Sequence, residues 1–335
     1  MDYTLTLVVI IVALALSFDF INGFHDTANA IATSVSTRAL TPRVAIILAS
    51  TMNLLGALSF TGVAKTIGKD IANPLQLDHG LTVLIATLIA AIGWNLITWW
   101  FGIPSSSSHA LIGALAGAVI ASEGFGGIHY SGFTKIVLGL VFSPIIAFVI
   151  GYIIMFLLKQ VLANVSPHKI NKGFRWGQRL TAAWQAFAHG TNDAQKAMGI
   201  IMMALVAGNI QTDMDQPIPF WVKISAALAM ALGTSIGGWK IIKTMGTKIF
   251  KIEPINGFAA DASAAGVIQV ATIMGFPVST THAITSSILG VGAAKKFSSV
   301  KWGVAGRIIV TWFITIPIVS VFAALIYYGL SPFLN

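Results

Sequence analysis

Apolar runs of the length of a bilayer crossing recur along the whole of this 335-residue chain, and no other feature restricts its fold so strongly. A membrane-spanning helix needs about 20 predominantly apolar residues. Segments of that order are read at 4–37, 42–64, 79–101, 105–121, 133–158, 178–208, 220–243, 258–276, 279–294 and 303–330. Only 9% of residues are charged and the mean hydropathy is +0.83. A soluble domain carries about 25% charged residues, so too few remain here to cover a soluble surface. A membrane barrel would show short alternating segments, and the sequence has none. The expected fold is an all-α polytopic membrane protein in the cell (plasma or inner) membrane.

Two segments are too long for one crossing. At 1.5 Å per residue, the 34 residues of 4–37 would reach about 51 Å, against a hydrocarbon core of ~30 Å. Segments 4–37 and 178–208 each also contain Gly, Asn and Asp. Each is therefore expected to be two half-helices with a break, which gives about 10–12 transmembrane segments. Full crossings and re-entrant hairpins at 79–121 and 258–294 leave the same loop sides, so both remain open.

The net charge of +9 lies in the loops. Lys159, Lys169, Lys172, Arg175 and Arg179 crowd the centre, which marks that loop as cytoplasmic. Lys240, Lys243, Lys248 and Lys251 mark a second inside loop, and Lys295, Lys296, Lys301 and Arg307 a third. Asp213 and Asp215 fall in a loop expected outside. Counting from these anchors puts Arg38 and Arg43 inside and both termini on the extracytoplasmic side; the loop with Lys65 and Lys69 breaks the rule mildly. Nucleic-acid binding is not expected, because no basic stretch is interleaved with aromatics. The absence of cysteine excludes disulfides, thiolate metal sites and cysteine catalysis. ALALS offers a signal-peptide-like cleavage pattern, but MDYT has an acid and no base, so the first segment is read as retained.

The chain repeats itself. GFHDTANA at 23–30 matches GTNDAQKA at 190–197, an offset of 167 residues (23 to 190). GIPSSSSHA at 102–110 matches GFPVSTTHA at 275–283, an offset of 173 (102 to 275). The charge count gives the halves opposite orientations, so 1–158 and 178–335 are read as two inverted-topology repeats joined by a basic cytoplasmic loop at 159–177. Such repeats place a substrate site near the midplane, where the halves meet.

Asp26 and Asp193 lie at membrane depth, where a carboxylate costs at least ~2.5–3.5 kcal/mol and is rarely idle. An Asp with neighbouring Asn oxygens is a hard ligand set. It suits Na⁺, and it also lets the Asp carry a proton. SSSSH at 105–109 and STTH at 279–282 each follow a Gly-x-Pro turn and precede an apolar run, which places Ser or Thr at a helix N-terminus. There the free N–H groups and positive dipole end favour an anion, and hydroxyls add donors suited to a tetrahedral oxyanion such as phosphate. Capping and close packing by small residues is the structural alternative. His25, His109, His189 and His282, with Gln185, are candidate supporting residues. Lys196 could balance Asp193 or meet an anion. Gly113 and Gly117 form a GxxxG pattern, read as helix packing.

GFHDTANAIAT and HGTNDAQKAMG resemble the duplicated signature of the inorganic phosphate transporter (PiT) family, roughly G-x-N-D-x-x-N-A. The paired Pro-Ser/Thr-His motifs fit too, and the likeness covers both halves in order. His25 and Lys196 stand where many members have Asn. The resemblance implies that Asn22, Asp26, Asn29, Asn192 and Asp193 belong to cation (Na⁺) sites. It implies that Ser105, Ser106, Ser107, Ser108, Ser279, Thr280 and Thr281 hold phosphate. It also implies symport by alternating access, with Na⁺ favoured over H⁺ as coupling ion, no other cofactor, and inorganic phosphate and the lipid bilayer as partners; a homo-oligomer is compatible with it. A sulfate or other oxyanion permease is the near alternative, and a channel suits broken helices in inverted repeats less well than a carrier does. An intramembrane serine hydrolase built on Ser108-His109 or Thr281-His282 is not expected, since adjacent helical residues do not face each other. The chain is read as a transporter and not an enzyme.

Overall fold

The computed structural model describes residues 3–72 and 79–334 and contains no strand among them. Met1 and Asp2 of the MDYT stretch lie outside the described residues. The first half runs α1 (Tyr3–Ser36), α2 (Pro42–Ala57), α3 (Gly62–Asp70), α4 (Gly80–Phe101), α5 (Ser107–Glu123) and α6 (Tyr130–Val161). The second runs α7 (Pro167–Ala207), α8 (Phe220–Ile236), α9 (Trp239–Lys243), α10 (Pro254–Ile273), α11 (Thr280–Lys295) and α12 (Trp302–Leu334). The halves correspond element by element: a long helix, a bent pair, a hairpin and a second long helix with a proline inside it, Pro144 or Pro317. Helices α1, α4, α6 and α12 are long and apolar enough to cross a membrane, and the bent pairs raise the number to six.

The breaks are not where the polar clusters suggested. Helices α1 and α7 run unbroken through GFHDTANA and GTNDAQKA, over 34 and 41 residues. Unwinding in lipid would leave backbone N–H and C=O groups without partners. Here the polar side chains find partners sideways on other helices, so the ladder stays closed. Thr27 Oγ1 even donates back to the Gly23 carbonyl at 2.6 Å within the helix. The bends fall instead in the second and seventh segments, 66° between α2 and α3 and 62° between α8 and α9, the latter at Gly237-Gly238.

The stretch 159–177 is also mostly helix rather than loop: α6 continues to Val161 and α7 begins at Pro167, a favoured first helical position. Its bases at 169, 172 and 175 are exposed on one face, while Phe174 packs edge-on against Phe258 of α10. That amphipathic pattern suits a helix that continues past an apolar span.

Segments 79–121 and 258–294 are hairpins. Gly102 (φ 67°) and Gly275 (φ 76°) stop α4 and α10 in the left-handed region that glycine tolerates, and Pro104 and Pro277 prevent the helix from resuming at once. Ser106 and Ser279 then cap α5 and α11, each accepting a backbone N–H three residues on, from His109 at 3.1 Å and His282 at 3.2 Å. The α4–α5 hairpin starts beside Tyr3 and Leu334 and returns to the same end, where Tyr327 Oη donates to Ser122 at 3.0 Å. The α10–α11 hairpin opens at the other end of α12, where Lys295 pairs with Glu253 at 2.9 Å. The hairpins thus enter from opposite ends, and the packing is reciprocal: α5 lies on α12 and α11 on α6, α1 on α8 and α7 on α2. Exposed Val141, Phe142, Ile145, Phe313, Val321 and Leu325 coat the outer faces of α6 and α12.

The end that carries Tyr3 also carries Lys69 and Asp215, which form an ion pair. The hydrogen bond from Lys69, and then its charge, hold the Asp215 carboxyl below the usual carboxylate range. The two bases that offend the charge rule are thus partly neutralised.

The GxxxG pattern of α5 does pack against a helix: a Cβ at Gly117 would run into the Ser320 carbonyl of α12. Gly117→Val should destabilise the fold by about 1–3 kcal/mol through overpacking. Gly306→Ala, where a Cβ meets open space, should not. Thermal unfolding in detergent, followed by size-exclusion chromatography, reads the difference.

Candidate functional site

The site is built where the two unbroken helices meet the two hairpin tips. Asp26 of α1 and Asp193 of α7 are both buried. One ligand atom from each of Asp26, Asp193 and His189 lies within 4.8 Å of the others. Asp26 Oδ1 accepts from Thr281 Oγ1 at 3.3 Å and contacts His25 Nδ1 at 2.6 Å, while its Oδ2 accepts from Ser107 Oγ at 3.0 Å. Asp193 Oδ2 accepts from Thr280 Oγ1 at 3.0 Å and Asn22 Nδ2 at 3.4 Å. Asp193 Oδ1 accepts from Lys196 Nζ at 2.5 Å. His189 brings Nε2 to 3.3 Å from Asp193 Oδ2 without hydrogen-bond alignment, and its Nδ1 is tied to Asn53 Oδ1 at 3.0 Å. Asn29 Nδ2 reaches Thr281 Oγ1 at 2.9 Å and Thr280 Oγ1 at 3.2 Å, and Gln185 Nε2 donates to the Asn29 carbonyl at 3.2 Å.

The expected hydroxyl clusters divide by role. Ser107, Thr280 and Thr281 face the acids. Ser106 and Ser279 are occupied as caps. Ser105 Oγ donates to Thr98 Oγ1 at 2.8 Å, and Ser108 Oγ donates to the Val278 carbonyl of the opposite hairpin at 2.8 Å. Asn192 does not reach the acids. Its Nδ2 donates to Thr272 Oγ1 at 3.0 Å and to the Phe276 carbonyl at 3.2 Å, and its Oδ1 accepts from Val278 N at 3.3 Å, so it shapes the second hairpin tip. His25 Nε2 contacts Thr98 Oγ1 of the first hairpin at 3.0 Å in the matching way. His109 and His282 lie apart from the acids, with rings 4.3 Å apart. His282 stacks on Trp312 at 3.9 Å, and Trp312 Nε1 donates to the Pro104 carbonyl at 3.3 Å. His109 Nδ1 and Ser106 Oγ lie 2.9 Å apart, but that hydroxyl is the α5 cap.

Several residues of this network escape the motifs. Thr98 and Thr272 could have been found from the repeat, since they precede the paired Ser/Thr motifs at nearly matching places, offset by 174 (98 to 272) against the motifs' 173. Asp19 is a third buried acid on α1, three residues before Asn22, and neither of its oxygens has a partner. Asp261 of α10 accepts from Thr33 Oγ1 at 2.7 Å and leaves Oδ2 unpartnered. An acid inside an apolar run is their only sequence signal.

The surplus around the carboxylates is of acceptors. Besides both Asp19 oxygens, Asn22 Oδ1, Asn29 Oδ1 and Gln185 Oε1 are buried without donors. Oxygens of this kind are what a hard cation takes as ligands, and helix N-termini flanked by hydroxyls are what an anion takes.

Known proteins give the same direction. The profile of the phosphate transporter family matches residues 22–323. A Bacillus subtilis (strain 168) protein named "Probable low-affinity inorganic phosphate transporter" is 58% identical over 331 residues, covering 99% of each chain. A Mycobacterium bovis protein of the same name is 44% identical over all of this chain and 80% of its own. Among solved structures, one described as "The sodium-dependent phosphate transporter" superimposes with a TM-score of 0.87 at 26% identity, over 98% of this chain and 100% of that one. The chain is thus a multi-pass membrane protein of the phosphate transporter family, a phosphate transporter and not an enzyme.

Proposed function

We propose that the chain is a Na⁺-coupled phosphate symporter of the cell membrane, in which two inverted-topology repeats alternate access to one central site. The observation that carries this reading is the meeting of unpartnered acceptor oxygens with carboxylates and hydroxyl-bearing helix N-termini at a single buried point. Asp26, Asn22 and Asn29 hold the cation, with Oδ2 of Asp193, the oxygen that Lys196 does not engage. Asn192 holds the second hairpin tip in place rather than the ion.

Coupling follows from the proton count of the hydroxyls. Ser107, Thr280 and Thr281 have one proton each to donate, and all three now give it to a carboxylate. A cation on those carboxylates takes over that role, and the hydroxyls turn to phosphate beside the α5 and α11 N-termini. Each ligand then improves the other's binding, reciprocally. The carboxylates lie against the anion donors, so a phosphate O–H also finds an acceptor there. Sulfate has none to offer, which favours phosphate.

Proton coupling is the second reading, and Asp19 is what favours it: a buried acid with no partner suits a proton carrier. Uptake of radiolabelled phosphate into proteoliposomes separates the two. A Na⁺ gradient should drive it and sulfate should not compete. Uptake under a proton gradient alone would overturn Na⁺ coupling.

Asp26→Asn and Asp193→Asn should each reduce uptake about 30- to 150-fold. That is the equivalent of about 2–3 kcal/mol of lost charge-assisted interaction, with the protein still monodisperse. Full activity in either would remove that acid from the cation site. Orientation is set by charge: the bases of 159–179, 240–251 and 295–307 face the cytoplasm, and both chain termini face outside. The chain has no cysteine, so single replacements report cleanly. Asp213→Cys should react with an impermeant maleimide on intact cells, and Lys169→Cys only after permeabilisation; the reverse pattern would invert the topology.

A further inference from the structure

This inference rests on the cation-coupled reading above. The two copies of the signature differ where it matters electrically: Asn29 of α1 corresponds to Lys196 of α7. In the first copy, Asn29 presents an unpartnered Oδ1, and among the described residues no lysine or arginine pairs with Asp26. In the second copy, the Lys196 ammonium sits 2.5 Å from Asp193 Oδ1, in the first turn after it on the same helix. Lys196 is 1% exposed and is the one lysine or arginine buried among the described residues. A buried ammonium is tolerated only when paired. It also lies within the electrostatic field of Asp19, the acid that no hydrogen bond serves.

We propose that Lys196 is a built-in cation: its ammonium takes at Asp193 the place that a coupling ion takes at Asp26. The second half is thereby charged in advance, and the chain moves one cation fewer per phosphate than a carrier with Asn in both copies. The ammonium is a point charge on a flexible stem, so it follows Asp193 through any rearrangement without dissociating. A tethered ion is present at every turn of the cycle whatever the cation concentration. Affinity for phosphate is then less dependent on external cation, and less of the gradient can be stored in each phosphate moved.

The test is equilibrium binding of radiolabelled Na⁺ to the purified full-length protein, together with the Na⁺ dependence of phosphate uptake after reconstitution. The wild type should bind about one Na⁺ per chain with a Hill coefficient near 1. Lys196→Asn should bind about two, with the coefficient approaching 2. Lys196→Arg should keep the wild-type number. If Lys196→Asn binds the same non-zero number as the wild type, the inference is overturned while Na⁺ coupling stands. If it loses phosphate affinity with no change in Na⁺ number, Lys196 is an anion ligand and the inference is again overturned. The converse variant, Asn29→Lys, should abolish Na⁺ binding, and its retention would count equally against the proposal should Lys196→Asn fail to fold. A wild type that neither binds Na⁺ nor responds to its gradient removes the coupled reading itself.

Discussion

Two carboxylates brought close together inside a membrane protein repel each other and lose the water that would stabilise them, so donors and positive charge must be supplied by the protein. The architecture around Asp26 and Asp193 is shaped by that demand. Their helices are kept whole, which fixes where the acids point. The donors come from elsewhere, on hairpin tips whose caps leave Ser107, Thr280 and Thr281 free to turn inward. Close approach completes the arrangement: glycines at the α1–α8 and α2–α7 crossings let backbones touch, and a Cβ at Gly23 or Gly190 would collide with a carbonyl of the facing helix.

The repeat is precise in position and loose in chemistry. His25 and Asn192 both tether a signature helix to a hairpin threonine, Thr98 or Thr272. Ser106 and Ser279 cap alike. Yet the close partners differ, an adjacent histidine at Asp26 and a lysine at Asp193. Duplication sets the geometry once, and substitution within it makes the two halves electrically unequal.

The helical class, the paired motifs and the central acids were all legible in the sequence, because apolar length and an acid at membrane depth are local signals. The location of the breaks was not. Polar residues at 22–29 look like an interruption in one dimension, but their partners lie far along the chain, among them Thr280 and Thr281, some 250 residues away. The reverse holds at 58–61 and 237–238, where the sequence reads as one apolar segment and the chain bends by more than 60°. The serine and threonine runs had the right composition but no internal ranking, since cap and inward donor differ by a single position. Asp19 and Asp261 carry no paired-motif signal, because nothing beside them in the chain repeats.

The hairpins arrive from opposite ends and touch. Ser108 Oγ holds the Val278 carbonyl, the two histidine rings meet, and Trp312 bridges His282 to the Pro104 carbonyl. Neither tip can shift without dragging the other or breaking all of these contacts together. A plug made of two interlocked pieces, one from each end of the bundle, insulates better than two independent ones, because thermal retraction of a single piece does not open a through-path. For a membrane whose ion gradients serve every other transport process, the gain is low leakage while the transporter stands idle.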